Sequence, residues 1–376
     1  MRHFELEKYF SRWEFTARHH MTASDMESLE LKDLLALADD GEREAFNGLW
    51  LGYTETWGAP DLRRAIASTY EHLGAEHVLA LAGAGEGIYA AMRVLLDRGD
   101  HAVVVVPNYQ SAETVPLEVC QVSGVALREE NRWRLDVDEV EAALRPNSKL
   151  ISINFPHNPT GAIPDRPTFD ALVELCRRRG LYLFSDEVYR GIELDPALRL
   201  PQVADAYEKG FSLNVLSKAY GLPGLRIGWL ASQDLEALQE IERYKHYLSI
   251  CNSAPSERLA VIALNHRETL LERNRSILRR NLGAIESFFD DYRHLFHWVR
   301  PQGGCVAFPR YLGDDGVEAF CRSLIEESGV LLLPASLYRS ELMASPRDCF
   351  RIGYGRLKPF EEGLAALRQH LEERAA

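Results

Sequence analysis

The feature that most constrains the fold of this chain is an alternation of short apolar runs with helical stretches, which extends from residue 61 to residue 235. Several of these runs are apolar throughout, as is typical of parallel strands that are buried on both faces. The pattern predicts an α/β fold with a mostly parallel, seven-stranded sheet that is covered by helices. The predicted strands are His77–Ala82, His101–Val106, Gly124–Leu127, Leu150–Phe155, Leu181–Phe184, Phe211–Leu216 and Ile227–Ala231.

Both ends of the chain depart from this alternation. Residues 1–45 are polar and mixed in character, and a smaller α+β pattern begins at Trp298 after a long helical stretch. We therefore predict a large α/β domain at residues 46–285. A smaller α+β domain is predicted to combine residues 1–45 with residues 286–376.

The composition indicates a protein that acts on small molecules. The formal net charge is −13 at pH 7, which argues against nucleic acid or an anionic membrane surface as the main partner. The six cysteines are far apart and lack metal-ligand spacing, so no metal site is predicted. The N-terminus has no apolar core of signal-peptide length, and no apolar run approaches the ~18 residues of a membrane span. We expect a cytoplasmic enzyme.

Lys218 directly follows a predicted buried strand. Chemistry is expected there because ligands of α/β sheets bind at the carboxyl ends of the strands. Ser217 precedes this lysine, and Arg226 lies eight residues beyond it. Burial lowers the pKa of an amine, as a lysine that forms a Schiff base requires. Taken alone, the residue would also fit a surface lysine with a buried stem.

Polar side chains follow two further predicted strands. Asp186 could pair with a protonated ring nitrogen, and Tyr189, three residues on, could hydrogen-bond an oxygen of the same ring. The alternative for Asp186 is a helix N-cap. Asn158 begins an Asn-Pro-Thr-Gly motif, which by itself indicates only a turn. At the end of a strand, however, its amide could also hold the ring oxygen.

A glycine-rich segment, Ala-Gly-Ala-Gly-Glu-Gly-Ile at residues 82–88, follows a fourth predicted strand. Backbone amides of such a turn, together with the dipole of the next helix, bind phosphate. A dinucleotide-binding fingerprint is not met, because Ile88 stands where the third glycine would be needed. After a fifth strand, the ring of Tyr109 could stack on a planar cofactor or pack in the core.

The order of these motifs resembles that of the class I and II aminotransferases, which are pyridoxal 5′-phosphate (PLP) enzymes of fold type I. The resemblance covers nearly the whole chain, with some likeness to the capreomycidine synthase branch. It implies that Lys218 forms the Schiff base with PLP and shuttles a proton, and that Asp186 pairs with the pyridine nitrogen. The other implied PLP ligands are Asn158 and Tyr189 for the ring oxygen, Tyr109 for stacking, and Ala84, Gly85, Ser217 and Arg226 for the phosphate.

The resemblance also implies a homodimer and a substrate site. Tyr53 resembles the tyrosine that reaches the phosphate in the partner subunit. Arg351 resembles the arginine that binds the substrate α-carboxylate, together with Asn158, since a planar guanidinium matches two carboxylate oxygens. Arg356 is predicted to be a surface charge.

The N-terminal segment that would cover the substrate has no readable pattern beyond helical periodicity around Met26 to Leu37. Asp25 or Glu27 could face a basic substrate side chain; the alternative is a solvated helix N-terminus.

The expected activity is transfer of an amino group from an L-amino acid to a 2-oxo acid, with Lys218, Asp186 and Tyr189 as the catalytic residues. One alternative is a PLP-dependent lyase or cyclase of the capreomycidine synthase type, which expels a leaving group from a substituted amino acid. Another is a PLP-binding regulator of transcription. That alternative would need a DNA-binding module, for which the acidic-leaning residues 1–45 leave no room.

Overall fold

The computed structural model describes residues 2–375 of the chain. Its helices are α1 Glu5–Trp13, α2 Leu31–Leu37, α3 Asp40–Asn47, α4 Pro60–Ala67, α5 Ala84–Leu95, α6 Ser111–Leu117, α7 Val137–Ala143, α8 Arg166–Arg179, α9 Val203–Ala206, α10 Leu235–Lys245, α11 Ala254–Asn265, α12 Arg267–Asp291, α13 Gly316–Ser323 and α14 Lys358–Ala375. Its strands are β1 His19–His20, β2 Val78–Leu81, β3 His101–Val106, β4 Gln121–Ala126, β5 Ser148–Asn154, β6 Tyr182–Asp186, β7 Gly210–Val215, β8 Gly228–Ser232, β9 Phe296–His297, β10 Val306–Ala307, β11 Arg310–Tyr311, β12 Val330–Leu331, β13 Leu333–Pro334 and β14 Phe350–Gly353.

All seven predicted strands lie in one sheet, which confirms the expected α/β architecture. The strand order is β2-β8-β7-β6-β5-β3-β4. Strand β8 runs antiparallel to both of its neighbours, whereas the remaining neighbours pair in parallel. Strands β2, β3, β7 and β8 are buried at every residue, as their apolar sequences predict.

The direction of β8 determines which segments meet at the functional edge of the sheet. Strands β2, β3, β5, β6 and β7 all end at that edge. Because β8 is antiparallel, it begins there, and the residues just before Gly228 join those that follow the other strands. The segments that carry the predicted chemistry therefore converge.

Apolar helix faces cover both sides of the sheet. Leu81, Leu213 and Leu230 pack in one core cluster with residues of α5 and α10, and strands β3, β5 and β6 share a second cluster with α8. The sequence of α8 contains signals for both ends of the helix. Asp165 accepts a hydrogen bond from the backbone of Thr168 at 2.9 Å, and three arginines occupy the last turn before the left-handed Gly180.

The N-terminal residues pack against the C-terminal part of the chain. Strand β1 pairs in parallel with β12, and the backbone N–H of Gly353 donates to the carbonyl of Met21 at 2.8 Å. The predicted helical periodicity from Met26 to Leu37 is realised only from Leu31 onward, in α2. The intervening segment is not helical, and the backbone N–H groups of Met26 and Glu27 donate to the carbonyls of Lys218 and Gly355 instead.

The predicted domain division remains a prediction. Its boundary at residue 285 falls inside α12, which is one continuous helix of 25 residues. Its outer limits, residues 1 and 376, lie outside the described residues. Among the helices of residues 2–375, none combines the length and the apolar character that crossing a membrane requires.

Candidate active site

The amine of Lys218 lies at the end of β7, at the functional edge. Its Nζ donates a hydrogen bond to Ser24 Oγ at 2.9 Å. Burial lowers the pKa of Lys218, while the nearby negative charge of Asp25 opposes this effect. Within residues 2–375, no carboxylate forms an ion pair with Lys218. A largely buried amine without a counter-ion is suited to act as a nucleophile or a base.

The carboxyl group of Asp186 lies at the same edge, at the end of β6. Burial raises its pKa to about 6, although a backbone hydrogen bond from Val188, at 3.2 Å, and the charge of Lys218 favour the ionised form. A turn follows Asp186 rather than a helix, so the carboxylate is not a helix N-cap. Because no cation pairs with it in the described chain, a cationic ring nitrogen placed beside it would lower its pKa.

Tyr189 and Asn158 are both buried near this edge. The hydroxyl of Tyr189 donates to the carbonyl of Ser24 at 2.9 Å. The backbone N–H of Asn158 donates to Asn154 Oδ1 at 2.8 Å, and Asn154 in turn donates to the carbonyl of Asp186. Asn154 thus ties together the ends of β5 and β6, a role that we did not predict from the sequence.

The glycine-rich turn forms a cradle at the start of α5. No side chain caps this helix, so the backbone N–H groups of Ala84 and Gly85 are available to an anion. Gly83 has φ +106°, and a side chain there would collide with the guanidinium of Arg226. A side chain at Gly228 would come within 2.9 Å of the Gly83 backbone. The positive φ of Gly83 and the close backbone contact of Gly228 therefore require glycine at both positions.

Arg226 and Ser217 complete the cradle from the other side. Arg226 adopts a left-handed conformation, with φ +53°, and its Nη1 donates to Ser217 Oγ at 3.3 Å. This backbone conformation is uncommon outside glycine and marks a position held by its surroundings. The guanidinium, a hydroxyl and a helix N-terminus together suit a phosphate group. Gly85 and Arg226 remain exposed in the single chain.

Tyr109 lies at this edge between β3 and α6, beneath helix α1. Its hydroxyl donates to Glu7 Oε1 at 2.9 Å, and its ring centroid lies 5.2 Å from that of Phe4. The loop that carries Tyr109 also contacts buried His157, whose Nε2 lies 2.8 Å from the Pro107 carbonyl. Glu7 and His157 are contacts that no sequence motif indicated.

Arg351 is 1% exposed on β14 and lacks an acidic partner within residues 2–375. Its Nη1 donates to Asn158 Oδ1 at 3.3 Å, and its Nη2 donates to the carbonyl of Thr22 at 2.7 Å. Its Nε is buried without a hydrogen-bond partner. A buried cation is costly unless it is paired, so this arrangement suits a carboxylate supplied by a ligand.

The N-terminal segment differs from both sequence-based alternatives. Asp25 is 7% exposed, and both of its oxygens accept hydrogen bonds from Arg356, at 3.0 and 3.1 Å. Glu27 accepts from the backbone N–H of Leu357 at 2.9 Å. Neither carboxylate lies at a helix N-terminus, and both accept hydrogen bonds from residues 356–357. Arg356, predicted to be a surface charge, keeps 32% of its side chain exposed and also forms this ion pair.

Tyr53 stands apart from the other predicted site residues. It is 85% exposed in a loop before α4, beside Trp50 and Leu51, which are 79% and 78% exposed. The described chain therefore gathers ten of the predicted site residues at one edge of the sheet, without Tyr53. They are Ala84, Gly85, Tyr109, Asn158, Asp186, Tyr189, Ser217, Lys218, Arg226 and Arg351. Residues 2–375 contain no cluster of three or more His, Cys, Asp or Glu side chains that could hold a metal ion.

Comparisons with known proteins place the chain in a family. The profile of the family described as aminotransferase class I and II matches residues 19–367. Capreomycidine synthase from Streptomyces vinaceus is 30% identical over 97% of this chain and 93% of its own length. A crystal structure of a PLP-dependent aminotransferase from Streptococcus suis has a TM-score of 0.92 and 30% identity, covering 99% of this chain and 98% of its own. The PLP-dependent cyclase OrfR has a TM-score of 0.89 and 26% identity, covering 100% and 98%.

The residues at the edge of the sheet fit PLP, the cofactor of this family. Lys218 supplies an amine without a counter-ion, and Asp186 supplies a carboxylate without a cation. The cradle offers backbone N–H donors and the guanidinium of Arg226 to a phosphate, and a side chain on Gly83 would displace that guanidinium. The sheet order and the structural neighbours identify the fold as that of the fold type I PLP-dependent enzymes. The chain belongs to the class I and II aminotransferase family of PLP-dependent enzymes.

Proposed function

We propose that this enzyme transfers the amino group of an L-amino acid to a 2-oxo acid. The observation that carries the proposal is the buried guanidinium of Arg351, which lacks an acidic partner in the described chain and lies at the same edge as Lys218. Both substrates of such a transfer carry a carboxylate next to the reacting carbon. One site can therefore bind each of them in turn by the same group.

Arg351 and Asn158 would fix the substrate carboxylate. The unpartnered Nε of Arg351 can donate to one carboxylate oxygen, and a terminal nitrogen can donate to the other. Asn158 already contacts this guanidinium at 3.3 Å, so its amide limits the rotation of the arginine. Binding the carboxylate at this point would place the Cα atom near Lys218.

PLP, when bound, supplies an electron sink that makes the Cα–H bond of an amino acid acidic. Lys218 Nζ would take the proton from Cα, because its lowered pKa leaves more of the amine neutral. Asp186 would hold the ring nitrogen in its protonated state. The hydroxyl of Tyr189 and the amide of Asn158 would bind the ring oxygen, and the ring of Tyr109 would stack on the cofactor.

We propose further that the enzyme is a cytoplasmic homodimer in which Tyr53 reaches the phosphate cradle of the partner. The support is a pair of exposed features, namely the aromatic loop around Tyr53 and the open side of the cradle at Gly85 and Arg226. Light scattering after size exclusion would test the dimer. A Tyr53→Phe variant that binds PLP as tightly as the wild type would contradict the role of the hydroxyl.

The alternative is a PLP-dependent lyase or cyclase that acts on a substituted amino acid. It is supported by the similarity to capreomycidine synthase and to the cyclase OrfR. The same residues would remove the Cα proton, and a leaving group would then depart from the side chain. Arg351 would be needed for one carboxylate only, that of the amino acid.

A single-turnover experiment separates the two reactions. The holoenzyme is mixed with a panel of L-amino acids, including β-hydroxylated ones, without a 2-oxo acid. Transamination requires one equivalent of 2-oxo acid per site and recovery of the cofactor as pyridoxamine phosphate. Loss of the β-substituent with recovery of PLP would instead support the lyase or cyclase.

The proposed role of Lys218 has a matched control. Lys218→Ala should abolish both the absorbance band of lysine-bound PLP and turnover. Lys209→Ala alters the lysine at the opposite end of the same strand, where Nζ donates to the carbonyl of Gly180 at 3.2 Å and lies 5.7 Å from the centroid of the Tyr182 ring. This variant should keep both properties. Normal turnover in Lys218→Ala would refute the mechanism.

A further inference from the structure

The partner of the Lys218 amine comes from the N-terminal segment rather than from the sheet. Ser24 Oγ accepts the hydrogen bond from Nζ at 2.9 Å. The neighbouring carboxylate, Asp25, is occupied by Arg356, and the hydroxyl of Tyr189 is directed to the Ser24 carbonyl. Within residues 2–375, Ser24 is thus the side chain that holds the amine.

The backbone on both sides of Ser24 is fixed by hydrogen bonds to the site. The carbonyl of Thr22 accepts from Arg351 at 2.7 Å, and the N–H of Met26 donates to the carbonyl of Lys218 at 3.4 Å. The N–H of Glu27 donates to the carbonyl of Gly355 at 2.8 Å. These hydrogen bonds fix the backbone before and after Ser24, and so the position from which its hydroxyl reaches the amine.

Two glycines in and after β14 allow residues 22–26 to pack closely against this strand. A side chain on Gly353 would collide with the carbonyl oxygen of Ala23, and one on Gly355 would come within 2.5 Å of the carbonyl oxygen of Asp25. Such contacts are shorter than real Cβ atoms tolerate. The strand that carries Arg351 is thus shaped to receive residues 22–26, which places Ser24 against the amine.

From these contacts we propose that Ser24 is a positioning residue for Lys218, and that its hydroxyl holds the amine in the site whenever the lysine is not bonded to the cofactor. The inference rests on the proposed function of Lys218 as the base. An amine that takes a proton from Cα must stay within reach of that atom. A lysine side chain has four rotatable bonds, so without a partner it would sample other positions.

The charge of the amine is affected by several groups around it. Burial lowers the pKa of Lys218, and the carboxylate of Asp25 on the N-terminal segment opposes this effect. Arg351 on β14 lowers the pKa further, whereas Cys305, just before β10, and Asp186 on β6 raise it. The Ser24 hydroxyl accepts a hydrogen bond from the amine, which stabilises its protonated form. Removal of the hydroxyl should therefore lower the pKa of Lys218 further.

The test uses the full-length protein loaded with pyridoxamine 5′-phosphate, in which the amine of Lys218 is free. The amine is labelled with a trace of acetic anhydride between pH 6 and pH 11, and acetylation of the peptide containing Lys218 is followed by mass spectrometry. The midpoint pH of labelling reports the titration of this lysine. Because no turnover is needed, the result is independent of whether the enzyme is a transaminase or a cyclase.

The variants separate the hydroxyl from the size of the side chain. Ser24→Thr and Ser24→Val have nearly the same shape, but only threonine keeps a hydroxyl. The midpoint should fall by about one pH unit in Ser24→Val, as expected for loss of one hydrogen bond to a charged group, and should stay near the wild-type value in Ser24→Thr. Ser28→Ala, an exposed serine of the same segment, should match the wild type.

Steady-state kinetics provide a second readout in the same variants. Loss of the hydroxyl should lower kcat about tenfold, while KM for the amino acid should change less than twofold because Arg351 is retained. Equal labelling midpoints in Ser24→Val and Ser24→Thr would overturn the proposal. So would a tenfold loss of kcat that threonine does not restore.

Discussion

Lys245 offers a quantitative test of how the cradle end of the sheet is held together. Its side chain is 0% exposed, and Nζ donates to the carbonyls of Thr56 and Ala80 and to Asn252 Oδ1, at 2.6, 2.8 and 3.1 Å. It connects the loop before α4, strand β2 and the segment after α10. Lys245→Met keeps the apolar stem but removes all three donors.

The expected loss of stability follows from these three contacts. A buried acceptor left without a partner costs about 1–3 kcal/mol. Two of the three acceptors are buried and the Thr56 carbonyl is partly buried, so the three orphaned acceptors together cost about 3 kcal/mol. Replacing the lysine also removes the cost of burying its ammonium group, which offsets part of the lost stability. This cost is the reason that burial lowers the pKa of Lys245. We expect the free energy of unfolding to fall by about 3 kcal/mol.

Denaturant titration of the wild type and the variant at equal protein concentration measures this difference. Lys358→Met is the matched control. Its side chain is 83% exposed and pairs only with Glu362, one turn along α14, so a change of less than about 0.5 kcal/mol is expected. A loss below about 1 kcal/mol in Lys245→Met would refute the reasoning, because the hydrogen bonds would then merely compensate the burial of the charge.

Three further predictions concern the substrate site, the N-terminal segment and the core. Arg351→Lys should raise KM for the amino acid about 10- to 100-fold, since the bidentate contact is lost; a KM within twofold of the wild-type value would contradict this assignment. Gly353→Ala should destabilise the fold by about 1–3 kcal/mol in thermal unfolding, because the new methyl group collides with Ala23, and an unchanged melting temperature would count against it. Burial raises the pKa of Glu187 to about 7, above its ordinary value, so the folded chain binds this proton more tightly than the unfolded chain. The resulting stabilisation is present below pH ~4.5 and is lost as the pH rises through about 7. Glu187→Gln should therefore remove about 3 kcal/mol from the pH dependence of the free energy of unfolding. An unchanged pH profile of unfolding in this variant would refute the assignment to Glu187.

The sheet could be predicted because the central strands are apolar at every residue. Strand β4 begins at Gln121, three residues before the predicted start at Gly124. This strand lies at the edge of the sheet, where Gln121 and Ser123 keep exposed surface and interrupt the apolar pattern. The direction of β8 could not be read from its composition, because parallel and antiparallel strands of a buried sheet are equally apolar.

The predictable part of the site consists of residues that follow strands. Lys218, Asp186 and Asn158 each lie directly after an apolar run, so the sheet brings them together whatever the loops do. Ser24 had no such signal. It lies 194 residues from Lys218 in a segment without periodicity, and the contact depends on tertiary packing alone. The same holds for Asp25 and Arg356, which are 331 residues apart.

The pairing of β1 with β12 has a consequence for biosynthesis. Strand β1 and the residues up to Glu27 cannot take their places until the C-terminal strands exist, because their partners are residues 330–331 and 353–357. At a translation rate of about 5–20 residues per second, the separation of Asp25 and Arg356 corresponds to roughly 15 to 65 s on the ribosome. During that interval the sheet can form, but residues 22–27 cannot yet pack over Lys218. The pocket around Lys218 can therefore be completed only after residues 330–357 have been synthesised.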